Sequence, residues 1–444
     1  MTRLPAGGRI DRGRELRFTF NGTALSGFAG DTLASALLAN GVHQVGTSIK
    51  YGRPRGIMAA LTAARSGARV VLADDQPETG GSLLGAAESV DGAPAMDWVT
   101  SVTASLEQSP DVRILRRTTA FGCYDDGFVL ALERRTDHLG LAAPAHRARQ
   151  RVWRIRAREV IVAAGAHERP VIFTDNDVPG VMLASAARTY LHRYGVLVGR
   201  PVVAFTTNDS AYPAAVDMAR AGAAVSVVDA RGEIPQCWAS VCARNGVAVR
   251  TGSVVTGASG GAHVTAAHVA AWSGGAPGPR QKLGCDLLLV SGGWNPAVHL
   301  FTHAGGELRY DAGNGMFVPG SRPAGLQAAG AGLTSAEHVK RYTTIGTAHD
   351  QVKTSGVSTS GILAAQLGVD IATLGTTTLR PPYTPVAFAA LAGRDRGEIF
   401  DSVRVTAIHP WHVKHGAVLE DVGQWKQPWT VPPSEDQRPG SGRR

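Results

Sequence analysis

The chain has 444 residues, of which 44% are hydrophobic and 18% are charged, with 54 glycines. This composition is typical of a Gly- and Ala-rich α/β protein with a sizeable core, and it excludes a disordered chain. The net charge of +9 comes almost wholly from arginines scattered along the sequence. Because no basic run is interleaved with aromatic residues, we predict no nucleic-acid partner.

The four cysteines form no CxxC pair; they are Cys123, Cys237, Cys242 and Cys285. Such sparse cysteines argue against a disulfide framework and indicate a reducing compartment. The N-terminus MTRLPAGGRI lacks the apolar core of a signal peptide. No apolar run reaches the length of about 18 residues that spans a membrane. We therefore predict a cytoplasmic protein without a membrane segment.

Residues 9–57 are predicted to form a small β-grasp-like unit. A strand at residues 16–20, an Asn-Gly turn and a second strand at residues 24–28 indicate a hairpin. Asp31 is expected to cap the helix TLASALLAN, which stops at Gly41. Such a unit is ferredoxin-like. Because it contains no cysteine, it has no thiolate that could hold an iron–sulfur cluster.

Residues 58–198 are predicted to form a first dinucleotide-binding domain of the FAD/NAD type, and an incomplete one. A short helix leads through Gly67 into an apolar strand at residues 69–73 that ends on two aspartates. A helix near residues 95–108 and strands near residues 112–115 and 128–133 are expected to follow. The apolar run at residues 160–164 indicates a buried strand with a tight turn at Gly165.

Residues 199–295 contain a clearer strand–helix–strand pattern and are predicted to form a second Rossmann-like domain. Residues 296–349 are expected to return to the first domain. Residues 350–430 are predicted to be a helical region or linker, and residues 431–444 a disordered tail. The predicted fold class is therefore α/β, with two nested doubly wound dinucleotide-binding-type domains, an N-terminal β-grasp-like unit and a helical C-terminal region.

Several motifs in fixed order make the sequence similar to one family. They are VVLADDQPETGGSLL, IVAAGAHERPVIFTDNDVPGVMLASA, TTNDSAY, VSGGWNP, HVKRYTTIGTAHDQVKTS and GTTTLRPPYTPVAFAALAG. Together with FTFNGTALSGFAGDTLASALLANGVH and KYGRPRGI near the N-terminus, they resemble the α subunit of heterotetrameric sarcosine oxidase. The resemblance covers residues 9 to 429.

The resemblance implies a role in the oxidation of sarcosine to glycine and a one-carbon unit, with oxygen as the final acceptor and hydrogen peroxide as a product. In that family, substrate oxidation takes place on FAD in a β-type flavoprotein subunit. FMN lies at the interface with that subunit, and the α subunit holds NAD. The implied partners are the β-type subunit and the other sarcosine oxidase subunits.

Two departures from the family pattern concern function. After PRGI the family continues through a strand and its GxGxxG loop, whereas here Met58 follows directly. After DVGQWKQPW the family continues into a folate-binding, aminomethyltransferase-like domain, whereas here a polar tail follows. The sequence is therefore interpreted as a truncated α-subunit-like chain.

The missing loop is expected to weaken dinucleotide binding. Pyrophosphate normally lies on backbone N–H groups at a helix N-terminus that glycines allow it to approach. Here Pro54 has no N–H, and Arg55 is bulky. Losing two charge-assisted hydrogen bonds costs about 3–6 kcal/mol, or at least about a hundredfold in affinity. Alternatively, HQVGTSIKY could substitute for the strand and GRPRG for the loop, with Arg53 and Arg55 supplying positive charge.

Candidate cofactor-binding residues follow from the strand ends of the first domain. Asp74 or Asp75 would bind ribose hydroxyls, as a carboxylate at the end of a second strand does in dinucleotide folds. Gly80 and Gly81 follow at the spacing that the family shows, and Ala164 and Gly165 end the later buried strand. In the second domain, TTNDSAY replaces glycines, so we expect that half to be structural, with Asp209 or Ser210 as a helix N-cap.

A Gly-rich turn followed by a helix is the last predicted cofactor contact. The residues concerned are Gly330, Gly332, Lys340, Arg341, Tyr342 and Thr343. The resemblance places this region toward the flavin, and a solvated basic helix end is the alternative. Val352 replaces a glycine of the family motif and is expected to alter the local turn. HPWHVKH lacks the further ligands of a zinc site, so no metal is predicted.

No catalytic acid, base or nucleophile of the chain's own is predicted. We expect a scaffold that places cofactors in an oxidoreductase complex. One alternative is a non-catalytic remnant that only binds a β-type partner. Another is a subunit of a related amine or opine dehydrogenase.

Overall fold

The computed structural model describes residues 3–20, 23–40, 55–90, 92–320, 351–392 and 403–431. The chain divides into two compact units, residues 1–385 and residues 386–444. The predicted Asn-Gly turn, the proposed substitute strand and the predicted cofactor contacts at residues 330–343 lie outside the described residues.

The chain opens with the predicted hairpin and helix. Strands β1 (Asp11–Phe20) and β2 (Thr23–Ala29) pair antiparallel, and helix α1 (Leu33–Ala39) follows. The alternating residues of the hairpin and its short connection explain this local pairing.

The cap of α1 differs from the predicted one. Thr32 Oγ1 accepts from the Ser35 N–H at 3.0 Å, and Ser35 Oγ accepts from the Thr32 N–H at 2.9 Å, which forms a capping box. The predicted cap at Asp31 is wrong because the Asp31 carboxylate binds the Arg3 guanidinium at 2.7 Å instead. Asp31 thereby ties the residues before β1 to the start of α1.

A small parallel sheet follows. Its elements are α2 (Arg55–Arg65), β3 (Val70–Ala73), β4 (Ser89–Val90), β5 (Ala93–Pro94), α3 (Ala95–Gln108) and β6 (Val112–Leu115). Strand β3 pairs parallel with β6. Both helices bury apolar residues in one cluster beneath this pair, among them Leu61 and Leu106. The predicted helices and strands of this segment are confirmed.

An antiparallel sheet then interrupts the domain. It consists of β7 (Thr118–Tyr124), β8 (Phe128–Arg134) and β9 (Gln150–Arg156), in that order. Residues 160–164, predicted as a buried strand, belong to no strand. Ile161 is 65% exposed and Val162 is 37% exposed. That prediction is wrong because, among the described residues, β3 and β6 form a sheet of two strands, and no neighbour pairs with this apolar run.

Residues 166–296 form the largest ordered region. Its strands are β10 (Ala166–Glu168), β11 (Val181–Leu183), β12 (Pro201–Thr206), β13 (Ala224–Asp229), β14 (Ala248–Arg250), β15 (Ser253–Gly260), β16 (Val264–Ala271), β17 (Gln281–Gly284), β18 (Leu287–Ser291) and β19 (Trp294–Pro296). Its helices are α4 (Ala184–Tyr194), α5 (Tyr212–Arg220) and α6 (Gln236–Arg244).

Five of these strands form a parallel sheet in the order β11-β18-β12-β13-β14. Alternate residues of its central strands pack on opposite faces, and both faces are apolar, as a doubly covered parallel sheet requires. One face packs on α4, α5 and α6. The other packs on the antiparallel sheet of β15, β16 and β17. Each fully buried Leu or Val contributes about 1.5–3 kcal/mol.

The first unit closes with short elements. They are α7 (His299–His303), β20 (Leu308–Asp311), β21 (Met316–Pro319), α8 (Gly356–Leu367) and α9 (Ile371–Leu374). Strands β20 and β21 form an antiparallel hairpin. Val352, just before α8, has a φ of +56° and is buried. A β-branched residue is strained in this left-handed region, which favours glycine.

The second unit contains α10 (Phe388–Ala392), β22 (Arg404–Val405), α11 (His409–Lys414), β23 (Val418–Val422) and β24 (Trp425–Thr430). Its three strands form one sheet in the order β22-β24-β23. The prediction of a helical C-terminal region is therefore wrong for these residues. Gly423, at a φ of +61°, supplies the left-handed turn between β23 and β24. Throughout the described ranges, every helix is too short or too polar to cross a lipid bilayer.

Candidate functional site

Asp74 and Asp75 lie directly after β3, in a turn organised by Gln76. The Gln76 backbone N–H donates to Asp74 Oδ1 at 2.9 Å, and Gln76 Nε2 donates to Asp75 Oδ1 at 3.2 Å. The Asp74 N–H donates to the carbonyl of Leu115 at the end of β6. Both carboxylates therefore lie at the carboxyl end of the small parallel sheet, where ligands of open α/β sheets bind.

Burial raises the pKa of Asp74 to about 6. The Gln76 N–H lowers it in part, the neighbouring Asp75 raises it, and the guanidinium groups of Arg116 and Arg193 lower it. The Asp74 carboxyl consequently changes charge near pH 6. When ionised, this carboxylate can accept hydrogen bonds from ribose hydroxyls on both oxygens. When protonated, it keeps less acceptor capacity, because one oxygen carries the proton.

Two residues of this site were not predicted from the sequence. Gln76 holds both carboxylates, and Arg193 Nη1 donates to Gln76 Oε1 at 3.1 Å. Arg193 is only 9% exposed, and its Nη2 lies 3.7 Å from Glu78. It reaches the site from α4, 117 positions along the chain, so no local pattern signals its role.

Gly80 and Gly81 precede a short 3₁₀ turn, Gly81–Gly85. Both have positive φ, +139° and +56°, so glycine is favoured at each. A Cβ at Gly80 would lie 3.1 Å from Leu84 Cδ2 and 3.5 Å from Val99 Cγ1. Gly80 is thus fitted against apolar side chains, and the described geometry gives no open backbone surface there for a phosphate.

Ala164 and Gly165 end the unpaired apolar run. Gly165 has a φ of +75°, and its carbonyl accepts from the Ala297 N–H at 2.9 Å. This hydrogen bond joins the start of β10 to the end of β19, which pair antiparallel. Between these two residues and the Asp74 and Asp75 side chains, the described part of the chain contains no hydrogen bond or ion pair. The described contacts therefore do not link the two predicted groups directly.

A second polar region lies at the carboxyl ends of the five-stranded sheet. Asn208, after β12, accepts from the Ser210 N–H at 2.8 Å and caps the turn that leads into α5. The predicted cap at Asp209 or Ser210 is wrong, because Asp209 instead lies 2.9 Å from Arg231 Nη1. Trp294 Nε1 donates to Ser210 Oγ at 3.0 Å. These contacts fix the TTNDSAY loop against the loop after β18.

A buried Tyr–Asp–Arg group ends β13. The Tyr212 hydroxyl donates to Asp229 Oδ2 at 2.8 Å, and both side chains are fully buried. Arg231 donates to both carboxylate oxygens, through Nε at 3.1 Å and Nη2 at 2.8 Å. The Asp229 carboxylate is thus occupied by protein donors, and it is not available to a ribose in this arrangement.

Two surface grooves, of about 250 and 260 Å³, lie away from these strand ends. One is lined by residues that include Leu4, His192 and Asp217, and the other by residues that include Pro201 and Ala224. Neither is lined by Asp74 or Asn208. Within the described ranges, no three His, Cys, Asp or Glu side chains are placed to hold a metal ion.

Comparison of the sequence with known proteins identifies its family. Sarcosine oxidase subunit alpha of Corynebacterium sp. (strain U-96) is 36% identical over 592 aligned positions, which cover 96% of this chain and 61% of that protein. The same subunit of Corynebacterium sp. (strain P-1) is 37% identical over 599 positions, which cover 97% of this chain and 62% of that protein. A family model described as the sarcosine oxidase A3 domain matches residues 326–394. The chain belongs to the sarcosine oxidase α-subunit family.

This family member spans about 61–62% of the length of the curated relatives it matches. The alignment of 592 positions is longer than the chain's 444 residues, so the relative contains inserted segments that this chain lacks. The resemblance predicted from the sequence motifs is confirmed.

L-proline dehydrogenase from P. horikoshii has a similar fold, with a TM-score of 0.63 and 16% identity. The match covers 86% of this chain and 98% of that one. At this identity the likeness shows the fold alone. The chain therefore has an α/β dinucleotide-binding, flavoprotein-like fold. The predicted fold class is confirmed to this extent.

The N-terminal residues of this family member match a further model, described as a 2Fe-2S iron-sulfur cluster binding domain, over residues 13–71. Cluster ligation in such domains uses cysteine thiolates. The first cysteine of the chain is Cys123, outside the match. The matched residues therefore do not fit a thiolate-bound cluster, although the domain type is shared.

Proposed function

We propose that the chain is the α-type scaffold subunit of a complex that oxidatively demethylates sarcosine to glycine, with formation of hydrogen peroxide. The observation that carries the proposal is the identity of 36–37% with sarcosine oxidase α subunits over at least 96% of this chain. A flavoprotein-like fold supports an oxidoreductase role. Because the chain spans less than two thirds of those relatives, the activity, substrate and partners of the whole protein remain parts of the proposal.

In this proposal the chemistry belongs to flavins, and the chain positions cofactors. Removing hydrogen from a secondary amine is a hydride-type transfer that a flavin accepts when bound. A β-type flavoprotein subunit would supply the FAD, and FMN would lie at its interface with this chain. Lys340, Arg341, Tyr342 and Thr343 are the proposed contacts on the flavin side.

The carboxyl end of the small parallel sheet fits the ribose half of NAD. The proposal is supported by the position of Asp74 and Asp75 directly after β3, since carboxylates at strand ends bind ribose hydroxyls in dinucleotide folds. Gln76 donates to both carboxylates, and Arg193 donates to Gln76. The pyrophosphate half fits less well. Gly80 contacts Leu84 and Val99, so its backbone does not offer the open surface that a phosphate needs. We therefore expect weak NAD binding by the isolated chain.

A second candidate function, a non-catalytic remnant that only binds a β-type partner, is favoured by one observation. The run at residues 160–164 is unpaired, and Ile161 and Val162 are exposed. The segment has the apolar composition of a buried strand, so the exposure of its residues indicates that the first sheet is incomplete. An incomplete sheet could dock a partner while holding no cofactor.

The experiment that separates the two candidates uses the full chain, purified alone and after co-expression with a β-type sarcosine oxidase subunit. The proposed function predicts co-purification, flavin absorbance, NAD released by acid and sarcosine-dependent peroxide formation. Co-purification without released NAD or peroxide would establish the remnant. Absence of co-purification would contradict both candidates.

A pair of variants tests the nucleotide contact itself. Asp75→Asn should lower the amount of NAD released per chain, because the amide cannot replace a carboxylate as a double acceptor toward ribose hydroxyls. Asp125→Asn, in an exposed turn after β7, is the matched control and should leave the amount unchanged. Equal NAD content in both variants would remove Asp75 from the site.

A further inference from the structure

The scattered arginines of the chain have one concentration, at the edge of the antiparallel sheet of β7, β8 and β9. Residues 147–158, RARQRVWRIRAR, contain six arginines and no carboxylate, which is a charge of +6 in a chain of net charge +9. They include β9, which pairs only with β8 in the described part of the chain. This sheet therefore ends on a strongly basic edge strand.

Carboxylates around the sheet do not neutralise these arginines. Arg147, Arg154 and Arg158 form no ion pair with any described residue. The other three form only long pairs of 3.5–3.8 Å: Arg149 with Asp137, Arg151 with Glu133, and Arg156 with Asp126. Pairs between exposed side chains at such distances contribute little, so the edge keeps its positive potential.

The backbone pairing of β8 and β9 shows which groups of β9 point away from the sheet. The Ala157 N–H donates to the Gly127 carbonyl at 3.0 Å, and the Arg135 N–H donates to the Arg149 carbonyl at 2.9 Å. In an antiparallel pair, such hydrogen-bonded residues alternate with residues whose N–H and C=O groups point outward. The outward set in this register is Val152, Arg154 and Arg156. Their backbone groups form an open edge.

The side chains beside this open edge alternate in character. Arg154 and Arg156 lie on one face of the sheet, and both are exposed. Trp153 and Ile155 lie on the other face and are only partly exposed. Cross-strand neighbours share a face, so a matching strand would place carboxylates opposite the arginines and apolar side chains opposite Trp153 and Ile155.

A second copy of the chain and a nucleic acid fit this edge less well. Two copies of β9 would bring arginines together, and like charges repel. Single-stranded nucleic acids stack their bases on aromatic rings. Trp153 is the only aromatic residue in 147–158, and its Nε1 donates to Glu133 at 2.8 Å. The guanidinium groups of Arg113 and Arg151 lie 5.7 and 5.2 Å from its ring centre, so the ring already has cation–π partners.

We infer that the open edge of β9 binds an acidic, extended segment of a partner protein, which adds to the sheet as a further strand. The outward N–H and C=O groups supply the hydrogen bonds, and the arginines select a segment with Asp or Glu at alternate positions. This surface belongs to a different sheet from the one that ends on Asp74 and Asp75. It would exist whether or not the chain binds NAD.

The test is fluorescence anisotropy of the full chain with a labelled peptide of alternating Glu and Val residues, long enough to span β9. Saturable binding that weakens with added salt is expected, because exposed charge pairs are screened. The same peptide with every backbone nitrogen methylated keeps the charge but cannot donate to the edge. It should bind at least about tenfold more weakly.

Two results with these probes would overturn strand addition: no binding of the unmodified peptide, or equal binding of the methylated one. An oligodeoxythymidylate of the same charge is the third probe. Tighter binding of the oligodeoxythymidylate than of the peptide would assign the surface to nucleic acid and overturn the peptide partner.

Variants at one position separate the charge from the backbone. Arg154→Gln keeps the outward N–H and should weaken peptide binding up to about fivefold. Arg154→Pro also removes that N–H, which does not bond β8, so the pairing of β8 and β9 should survive. It should weaken binding a further fivefold to tenfold, roughly. Arg244→Gln, at an exposed arginine of α6, is the charge control and should bind as wild type does.

These variants also give the results that would contradict each part of the inference. Equal affinity of Arg154→Pro and Arg154→Gln, with circular dichroism spectra like that of wild type, would show that the backbone edge takes no part. Equal affinity of Arg154→Gln and Arg244→Gln would show that the arginines of β9 do not select the segment.

Discussion

Ser185 donates both its backbone N–H, at 2.9 Å, and its hydroxyl to one carboxylate oxygen of Glu168. The pair joins β10 to the first turn of α4. Glu168 is only 2% exposed, and burial raises its pKa from 4.5 to about 7, although the hydrogen bonds from Ser185 and Ser291 lower it in part. The folded protein therefore holds a proton at Glu168 under conditions where the unfolded chain has released it.

Glu168→Gln should remove a pH dependence of stability. The folded pKa lies above the unfolded value, so the stabilising contribution is complete below pH 4.5 and is lost as pH rises through about 7. Wild-type unfolding free energy should fall by about 3 kcal/mol more than that of Glu168→Gln between pH 4.5 and 8. Urea unfolding across this range measures it, with Glu159→Gln, at an exposed carboxyl, as control. Parallel profiles for wild type and Glu168→Gln would contradict the assignment.

Asp74→Asn should also remove a pH dependence of the unfolding free energy, in a lower pH range than Glu168→Gln. Burial raises the pKa of Asp74 from 3.8 to about 6, so its contribution is present below about pH 4 and is lost as pH rises through 6. The amide oxygen can still accept the Gln76 N–H. Relative to the variant, wild type should lose about 2–3 kcal/mol between pH 4 and pH 7. Asp125→Asn serves as control, and an unchanged slope in Asp74→Asn would show that Asp74 is not buried in solution.

Local patterns predicted the helices and strands whose apolar residues face one core. Helix α3 has the bounds predicted for it, residues 95–108, and Val99, Val102 and Leu106, which recur on one face, are buried. Strands β12 and β13 were predicted from the cleanest strand–helix–strand segment, and they form the centre of the five-stranded sheet.

Non-local pairing explains what the sequence could not predict. The run at residues 160–164 has the composition of a buried strand, but whether a strand forms depends on a neighbour elsewhere in the chain. The same holds for the candidate site, where Arg193 approaches Gln76 across 117 positions. The hairpin of β23 and β24 had a local signal, Gly423 between two alternating segments, that the many prolines of the region obscured.

Tyr212→Phe should destabilise the five-stranded sheet. The variant leaves the fully buried Asp229 carboxylate without the phenol donor at 2.8 Å, while Arg231 continues to donate. The expected loss is about 1–3 kcal/mol, the cost of an unmet hydrogen bond to a buried charge. Denaturant unfolding measures it. Tyr190→Phe is the control, because the Tyr190 hydroxyl has no hydrogen-bond partner among the described residues; equal losses would show that the Asp229 bond contributes nothing.

Val162→Thr tests whether the run at residues 160–164 is open in solution. Val162 is 37% exposed, so the added hydroxyl can reach water, and the free energy of unfolding should change by no more than about 0.5 kcal/mol. The same substitution at Val227, which is 0% exposed in β13, buries an unpaired hydroxyl and should cost about 1–3 kcal/mol. Denaturant unfolding of both variants gives the comparison. If Val162→Thr costs as much as Val227→Thr, the run is covered in solution and the first sheet is more complete than its two paired strands indicate.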